Sequence, residues 1–377
     1  MKILQTITDL NLSSGGAATS TFNLFTALKE GGTNTSLLTL LPFSEKDKFI
    51  GSGDNITALE YDGKTQLVYS HNFKHYIEIN RGFDLYHANG IWTYPTYKTI
   101  KTAHKLNKPC IVTIHGMLNK NALKVSTLGK RLCLTLFQRR ELNSIECIHA
   151  TSRYEAECIK EAGIKTDIAI ISNGVTEYKS QSARDDSGIC RFGFVGRIDR
   201  IKNIEALLMA WHKLGENING CELVIIGGGE AEYSKELYKF ATNYKLNNIR
   251  FTGLLTKKET EKEMLKLRYL ILPSRSENFG MVVPEALSKG IPVIATEGTP
   301  WQELNTERCG WWIKDGTENL VATIYKAIST DTDEYLAMSR NGQSLVKKNY
   351  TIEMTADRMR RLYDYILGNE DKPDFIL

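Results

Sequence analysis

Disulfide scaffolding, membrane spanning and nucleic-acid binding are each disfavoured by something this chain lacks. Its seven cysteines, at 110, 133, 147, 158, 190, 221 and 309, are odd in number and nowhere form C-x-x-C. They read as reduced, mostly buried thiols rather than as the framework of a secreted domain. The opening MKILQTITDL turns polar too soon for a signal peptide, and no uninterrupted apolar run approaches the roughly 20 residues that span a bilayer. A cytoplasmic protein, at most lying on the inner face of a membrane, is expected. A net charge of +4 over 377 residues calls for no acidic partner, so no nucleic acid is expected. Repeats of solenoid period and low-complexity segments are absent too.

What is present is a soluble α/β composition, 42% hydrophobic and 24% charged, on a chain long enough for two cores. MKILQTIT alternates as a strand, DLNLSSGG breaks it, and Ala18, Phe22, Phe25 and Leu28 then follow at helical spacing. DLYHA, PCIVTIH and IHATS repeat the pattern of a short apolar run followed by a loop and a helix, which builds a parallel sheet. TEYKSQSARDDSGI, residues 176 to 189, reads as a linker. After it the alternation restarts with RFGFVGRI, a helix from Asn203 to about Leu214, CELVIIGGG, a helix from Glu230 to Tyr244, IRFTG, YLILPS and PVIAT. The expected division is 1–178, 188–349, and a final helical segment 350–377.

In open α/β sheets ligands sit at the carboxyl ends of strands, where helix N-termini favour anions. Four stretches lie there. Gly15-Gly16 follows the first strand and lets a phosphate approach the backbone, with a plain tight turn as the alternative. Its spacing fits neither G-x-G-x-x-G nor a P-loop, which argues against a nicotinamide enzyme and an ATPase. Gly196-Arg197 with Lys202 places two cations able to converge on one anion if the chain turns, against a merely solvated basic loop. Gly227-Gly228-Gly229 reads as a nest of backbone amides. In SENFGMVVPEALSKG, Glu277 lies just beyond a strand and Glu285 inside the next helix, with Asn278, Phe279 and Gly280 between. Two carboxylates so placed can grip vicinal hydroxyls. A helix N-terminal acid favoured by the macrodipole accounts for either alone.

Gly15-Gly16, His115-Gly116, Asn173-Gly174-Val175, Gly196-Arg197 with Lys202, and the E-x7-E pair Glu277 and Glu285 occur in an order that resembles the retaining glycosyltransferases of family 4. The resemblance runs over nearly the whole chain. It implies the GT-B architecture, two Rossmann-like doubly wound parallel-sheet domains facing a central cleft. It also implies a nucleotide-diphosphate-sugar donor held mainly by the C-terminal domain and an acceptor held by the N-terminal one, with the last helix crossing back to the first domain. The counterparts of Arg197 and Lys202 clamp the diphosphate, that of Glu285 binds the ribose, and those of Glu277, Phe279 and Gly280 hold the sugar. The counterpart of His115 lies beside the transferred sugar, and the loop at Gly15 and Gly16 covers the diphosphate.

No cofactor and no metal are expected. No acidic pair reads as a ligand set of the D-x-D kind, and His71 with His75 lacks a third ligand and reads as a solvated helix face. On the acceptor side, DLYHANGIW offers His87, Asn89 and Trp92 for a sugar ring, with a core Trp and a capping Asn as the alternative; Asn173 joins this set. The segment from Lys120 to Arg140 carries six cations and no acid, with Leu132, Leu134, Leu136 and Phe137 interleaved, so an anionic membrane surface is weighed against an ordinary solvated helix. The acceptor expected is a glycan or a lipid-linked oligosaccharide. The rivals are a sugar-nucleotide epimerase or phosphorylase of the same fold, and a non-catalytic sugar-nucleotide-binding protein.

Overall fold

Short apolar runs become strands, buried on both faces in the middle of each sheet and only partly buried at the edge stretches Ile56–Leu59 and Ile249–Gly253. In the first half these are β1 (Lys2–Asp9), β2 (Asn34–Leu40), β3 (Ile56–Leu59), β4 (Leu85–Asn89), β5 (Cys110–Thr113), β6 (Cys147–Ala150) and β7 (Ile168–Ile170). In the second they are β8 (Cys190–Val195), β9 (Cys221–Ile226), β10 (Ile249–Gly253), β11 (Tyr269–Leu272), β12 (Val293–Thr296) and β13 (Gly310–Ile313). The computed structural model describes residues 1–11, 14–42, 48–51, 53–63, 67–119, 137–178 and 188–377. Most of the basic segment 120–140 and the middle of the linker therefore lie outside the described residues.

The chain forms two units, Met1–Gly174 together with Ile352–Leu377, and Val175–Thr351. The first holds a sheet of order β3-β2-β1-β4-β5-β6-β7 and the second one of order β10-β9-β8-β11-β12-β13, and every ladder between these strands is parallel. Both are doubly wound. The chain reverses direction across each sheet between β1 and β4 and between β8 and β11, so the loops leaving those strands diverge and open a crevice at the carboxyl edge. The helix foreseen from Asn203 spans Ile204–Leu214, because Asn203 adopts a left-handed conformation (φ 54°) ahead of it. The helix foreseen over 230–244 spans Ala231–Asn243.

The last helix, Ile352–Ile366, belongs to the first unit and buries Met359, Leu362 and Tyr363 against Ile3, Leu24, Leu28, Leu85 and Ile111. Beyond it the tail runs antiparallel to β7, with the Ile170 amide donating to Phe375 and the Leu377 amide to Ile168. No helix among the described residues is long and apolar enough to cross a membrane. Because Leu362 is fully buried in this layer, Leu362→Ala is expected to lower unfolding free energy by about 2–5 kcal/mol, the usual cost of such a cavity. Denaturant titration followed by circular dichroism checks it, and a change well under 1 kcal/mol would mean that the helix is not part of this core.

Candidate functional site

In the second unit the crevice is built from the loops after β8 and β11. Lys202 ends a short 3-10 turn, Arg200–Lys202, started by Asp199, whose side chain accepts from the Ile201 amide. That turn is locked to the β11 loop by the Arg275 amide, which donates to the Ile201 carbonyl at 2.8 Å. Lys202 Nζ consequently reaches Glu277 Oε1 at 2.5 Å, and Ser274 Oγ donates to the same oxygen at 2.6 Å. Both side chains of the ion pair are mostly buried, at 19% and 11% exposure, so the contact is poorly screened. Arg197 stays exposed and pairs with Asp199 at 3.2 Å. The two cations expected to converge thus differ: one is buried and paired, and the other is at the rim.

Sequence reading missed the residues that hold this loop. Buried Asn203 donates to Asp315 Oδ1 at 3.1 Å and accepts from Arg275 at 2.7 Å. Arg275 also pairs with Glu205 at 3.2 Å, and Arg200 forks onto both oxygens of Glu236 at 2.7 Å while lying over the Tyr233 ring. No local pattern marks them, since their partners lie on distant elements.

The triple glycine has a role beyond an amide nest. A side chain at Gly227 would place Cβ 1.9 Å from the Gly196 carbonyl oxygen, and one at Gly229 the same distance from that of Ile198. The glycines let the β9 loop lie against the Gly196–Ile198 backbone, where the Ile198 amide donates to the Gly228 carbonyl at 2.9 Å. The Gly227 amide is taken by the Gly253 carbonyl at 3.2 Å, so it is not part of any nest.

Glu285 lies in the helix Val282–Ser288, partly buried, and burial raises its carboxyl above the usual range against the pull of Lys289 and Lys257. Lys289 itself donates to the Glu285 carbonyl at 3.3 Å and sits over the Tyr178 ring. The Phe279 side chain is in the core against Trp301 and Tyr350, so only its backbone can face a ligand, and its carbonyl accepts from Trp301 Nε1. Asn278 and Gly280 complete this turn, Gly280 with φ 78°.

In the first unit Gly15 takes φ 69° as cap of the helix Gly16–Glu30, whereas Gly16 has no such need and a Cβ on either would meet nothing within 4 Å. His115, at φ 53°, brings Nε2 to 3.2 Å from Asn89 Oδ1 and 3.3 Å from Thr21 Oγ1. Asn89 Nδ2 donates to the Thr6 carbonyl, which turns its oxygen toward the imidazole. Buried Glu155, also missed, anchors the loop by accepting from the Gly116 amide and from the Thr151 amide and hydroxyl. The S-x-x-E spelling Ser152–Glu155 was its available signal. Trp92 is partly buried with φ 74°, and its amide lies 3.4 Å from Gln138 Oε1. Asn173 is partly exposed in the segment just after β7.

His87 is a correction. It is fully buried, with Nδ1 2.7 Å from Tyr363 Oη and Nε2 2.7 Å from Thr113 Oγ1, so neither ring nitrogen is open to an acceptor. The alternation of β4 points it into the sheet's helix-covered face, one layer below Asn89. His71 and His75 are exposed on the helix His71–Ile79. A D-x-D spelling does occur at Asp331-Thr332-Asp333, where Asp331 caps the helix Thr332–Asn349 by accepting from the Glu334 amide.

Two family models match the chain, "Glycosyltransferase Family 4" over residues 14–177 and "Glycosyl transferases group 1" over residues 177–345. An uncharacterised glycosyltransferase of Methanocaldococcus jannaschii is 25% identical over 81% of this chain and 82% of its own. Alpha-monoglucosyldiacylglycerol synthase of Streptococcus pneumoniae is 29% identical over 72% of this chain and 64% of its own. Among solved structures, sucrose-phosphate synthase of Thermosynechococcus elongatus superposes with a TM-score of 0.79 at 18% identity, covering 98% of this chain and 100% of the other. Anabaena HepE in complex with UDP-glucose gives 0.76 at 17% identity, covering 97% and 100%. At such identities the structural likeness speaks for the fold.

Burial holds His87 well below the usual imidazole value of 6.5, His149 at about 4 and His115 at about 3. Between those values and 6.5 the unfolded chain binds more protons than the folded one, so the stability these neutral rings contribute is full above pH 6.5 and is lost as pH falls toward 4. The denaturation midpoint is expected to drop between pH 7 and pH 5, and less so in His149→Gln; equal midpoints would contradict neutral burial.

Proposed function

For a chain that belongs to the family 4, group 1 glycosyltransferases, we propose a retaining, metal-independent transfer of a hexosyl group from a nucleotide-diphosphate-sugar to an acceptor hydroxyl. The observation that carries the reading is the convergence of Lys202 and Glu277 from the β8 and β11 loops, with Arg197 at the rim and Glu285 in the following helix. The carboxyl edge of the second unit takes the donor. Its ribose hydroxyls donate to Glu285, the backbone from Asn278 to Gly280 meets the sugar, and the diphosphate draws on Lys202, Arg197 and the amides near Gly196 and Gly228.

Cleavage of the anomeric carbon–oxygen bond leaves negative charge on the diphosphate and positive charge on the sugar. Lys202 and Arg197 stand where the negative charge grows, and a preorganised cation there lowers the barrier without rearrangement. Glu277 holds Lys202 in place, so little side-chain ordering is left for the binding step. The acceptor oxygen enters on the face the diphosphate leaves, and its proton passes to a leaving phosphate oxygen. The carboxyl edge of the first unit, with His115, Asn89, Trp92 and Asn173, takes the acceptor. A lipid-linked oligosaccharide in cell-surface polysaccharide biosynthesis, met at the cytoplasmic face of the membrane, is the acceptor we assign. The basic stretch 120–140 and the lipid glycosylation named for the pneumococcal relative support it.

Uridine diphosphate sugars are the first donors to assay, since a solved neighbour was crystallised with UDP-glucose. With a turned-over donor in hand, Lys202→Ala is expected to lower kcat by on the order of 10²-fold or more, the scale for losing one charge-stabilising donor. Glu285→Ala is expected chiefly to weaken donor binding, by roughly ten- to a hundredfold. Near-normal kinetics in both variants would remove the donor site from this edge. Excess EDTA is expected to leave turnover unchanged; loss that added Mg²⁺ or Mn²⁺ restores would overturn metal independence.

A further inference from the structure

Five groups in the first unit form an unbroken buried file across the sheet. Tyr363 Oη lies 2.7 Å from His87 Nδ1, His87 Nε2 is 2.7 Å from Thr113 Oγ1, Thr113 Oγ1 is 2.8 Å from His149 Nδ1, and His149 Nε2 is 2.8 Å from the Ile171 carbonyl. All four side chains are at most 2% exposed. His87 stands on β4, Thr113 on β5 and His149 on β6, with Thr113 and His149 in direct register.

The direction of every proton in this file follows from its end. A carbonyl only accepts, so His149 carries hydrogen on Nε2 and, being neutral, has a lone pair on Nδ1. The Thr113 hydroxyl therefore donates to His149 and has only its lone pairs for His87. His87 must then donate from Nε2, which leaves its Nδ1 to accept from Tyr363. Each donor has one acceptor and no group is left over, which is the condition under which a buried polar network favours one arrangement.

Side chains two apart on a strand share a face. Asn89 stands two residues beyond His87 on β4, and His115, in the turn that follows β5, touches it at 3.2 Å. At the file's other end the Ile171 carbonyl lies two residues before Asn173. We propose that Tyr363, His87, Thr113 and His149 form a one-directional positioning network that sets the strand ends bearing Asn89, His115 and Asn173, and so places the acceptor-side residues for the reaction. The terminal helix contributes the first donor, Tyr363, and thereby takes part in ordering that site. None of the four touches substrate. For its activity measurement the inference rests on the proposed function.

The test uses the full chain and two substitutions at the middle of the file. Thr113→Ser keeps the hydroxyl; Thr113→Val keeps the shape and removes it, orphaning His87 Nε2–H and His149 Nδ1. Nitrogen-15 spectra of the unaltered chain labelled at histidine, with His87→Gln and His149→Gln for assignment, are expected to show both rings as neutral Nε2–H tautomers. An Nδ1–H tautomer or an imidazolium at pH 7 in either ring overturns the network, and this measurement decides if the valine variant fails to melt cooperatively. In a folded Thr113→Val chain the His115 resonances are expected to shift and kcat to fall roughly ten- to a hundredfold, the scale for small misplacement of a reacting centre. Donor KM is expected to hold, and Thr113→Ser to restore both signals. Unchanged His115 resonances and kcat in the valine variant overturn the positioning role. Should the unaltered chain turn over no nucleotide sugar, the proposed function fails separately, and the His115 resonances still judge the network.

Discussion

Parallel strands cannot be joined by a hairpin, and everything at these sites follows from that constraint. Each connection must cross over through a loop and helix, so every loop leaving a strand emerges on one edge of the sheet. Where the strand order reverses, between β8 and β11, neighbouring loops depart toward opposite faces and leave a crevice. Lys202 comes from one side of it and Glu277 from the other, 75 residues apart in sequence and 2.5 Å apart in space. The same reversal occurs in the first unit between β1 and β4, the strands followed by the loops that carry Gly15 and Gly16 and Trp92.

A buried cation is costly unless it is paired and hydrogen-bonded. Lys202 meets that condition through Glu277, and Glu277 is in turn satisfied by Ser274. The pair holds the Lys202 side chain at the crevice, where an arriving phosphate competes with one carboxylate for it. Arg275, Asn203, Glu205 and Tyr233 act on the crevice through its loop. They fix the short turn on which Lys202 stands, through bonds that reach across several elements.

The first unit applies a different solution beneath its carboxyl edge. It holds its imidazoles neutral and passes one hydrogen bond to the next, with Thr113 as a relay that both accepts and donates. Glu155 is the buried carboxylate nearby, and it is used up by amides of the Gly116 and Thr151 loops together with the Thr151 hydroxyl. The hydrogen-bonded rings below and Glu155 beside them tie the His115 loop to its neighbours.

Strand and helix alternation, the glycines and the E-x7-E spacing were legible in the sequence because they are local: period, turn chemistry and strand-end position are properties of a few consecutive residues. Thus the two doubly wound sheets, the placement of Arg197, Lys202 and Glu277 in loops after strands, and that of Glu285 in the helix that follows could be read directly. What only the tertiary structure decided depends on partners far along the chain. His87 read as a strand-end histidine offered to the acceptor beside Asn89, yet Tyr363, 276 residues later, takes its Nδ1. The triple glycine read as an anion nest, yet the nearness of the Gly196 and Ile198 carbonyls is what forbids a side chain at Gly227 and Gly229. Spacing determines which elements form and which edge carries the loops; which side chain faces a ligand and which is consumed by a neighbour is fixed only when distant strands are brought into register.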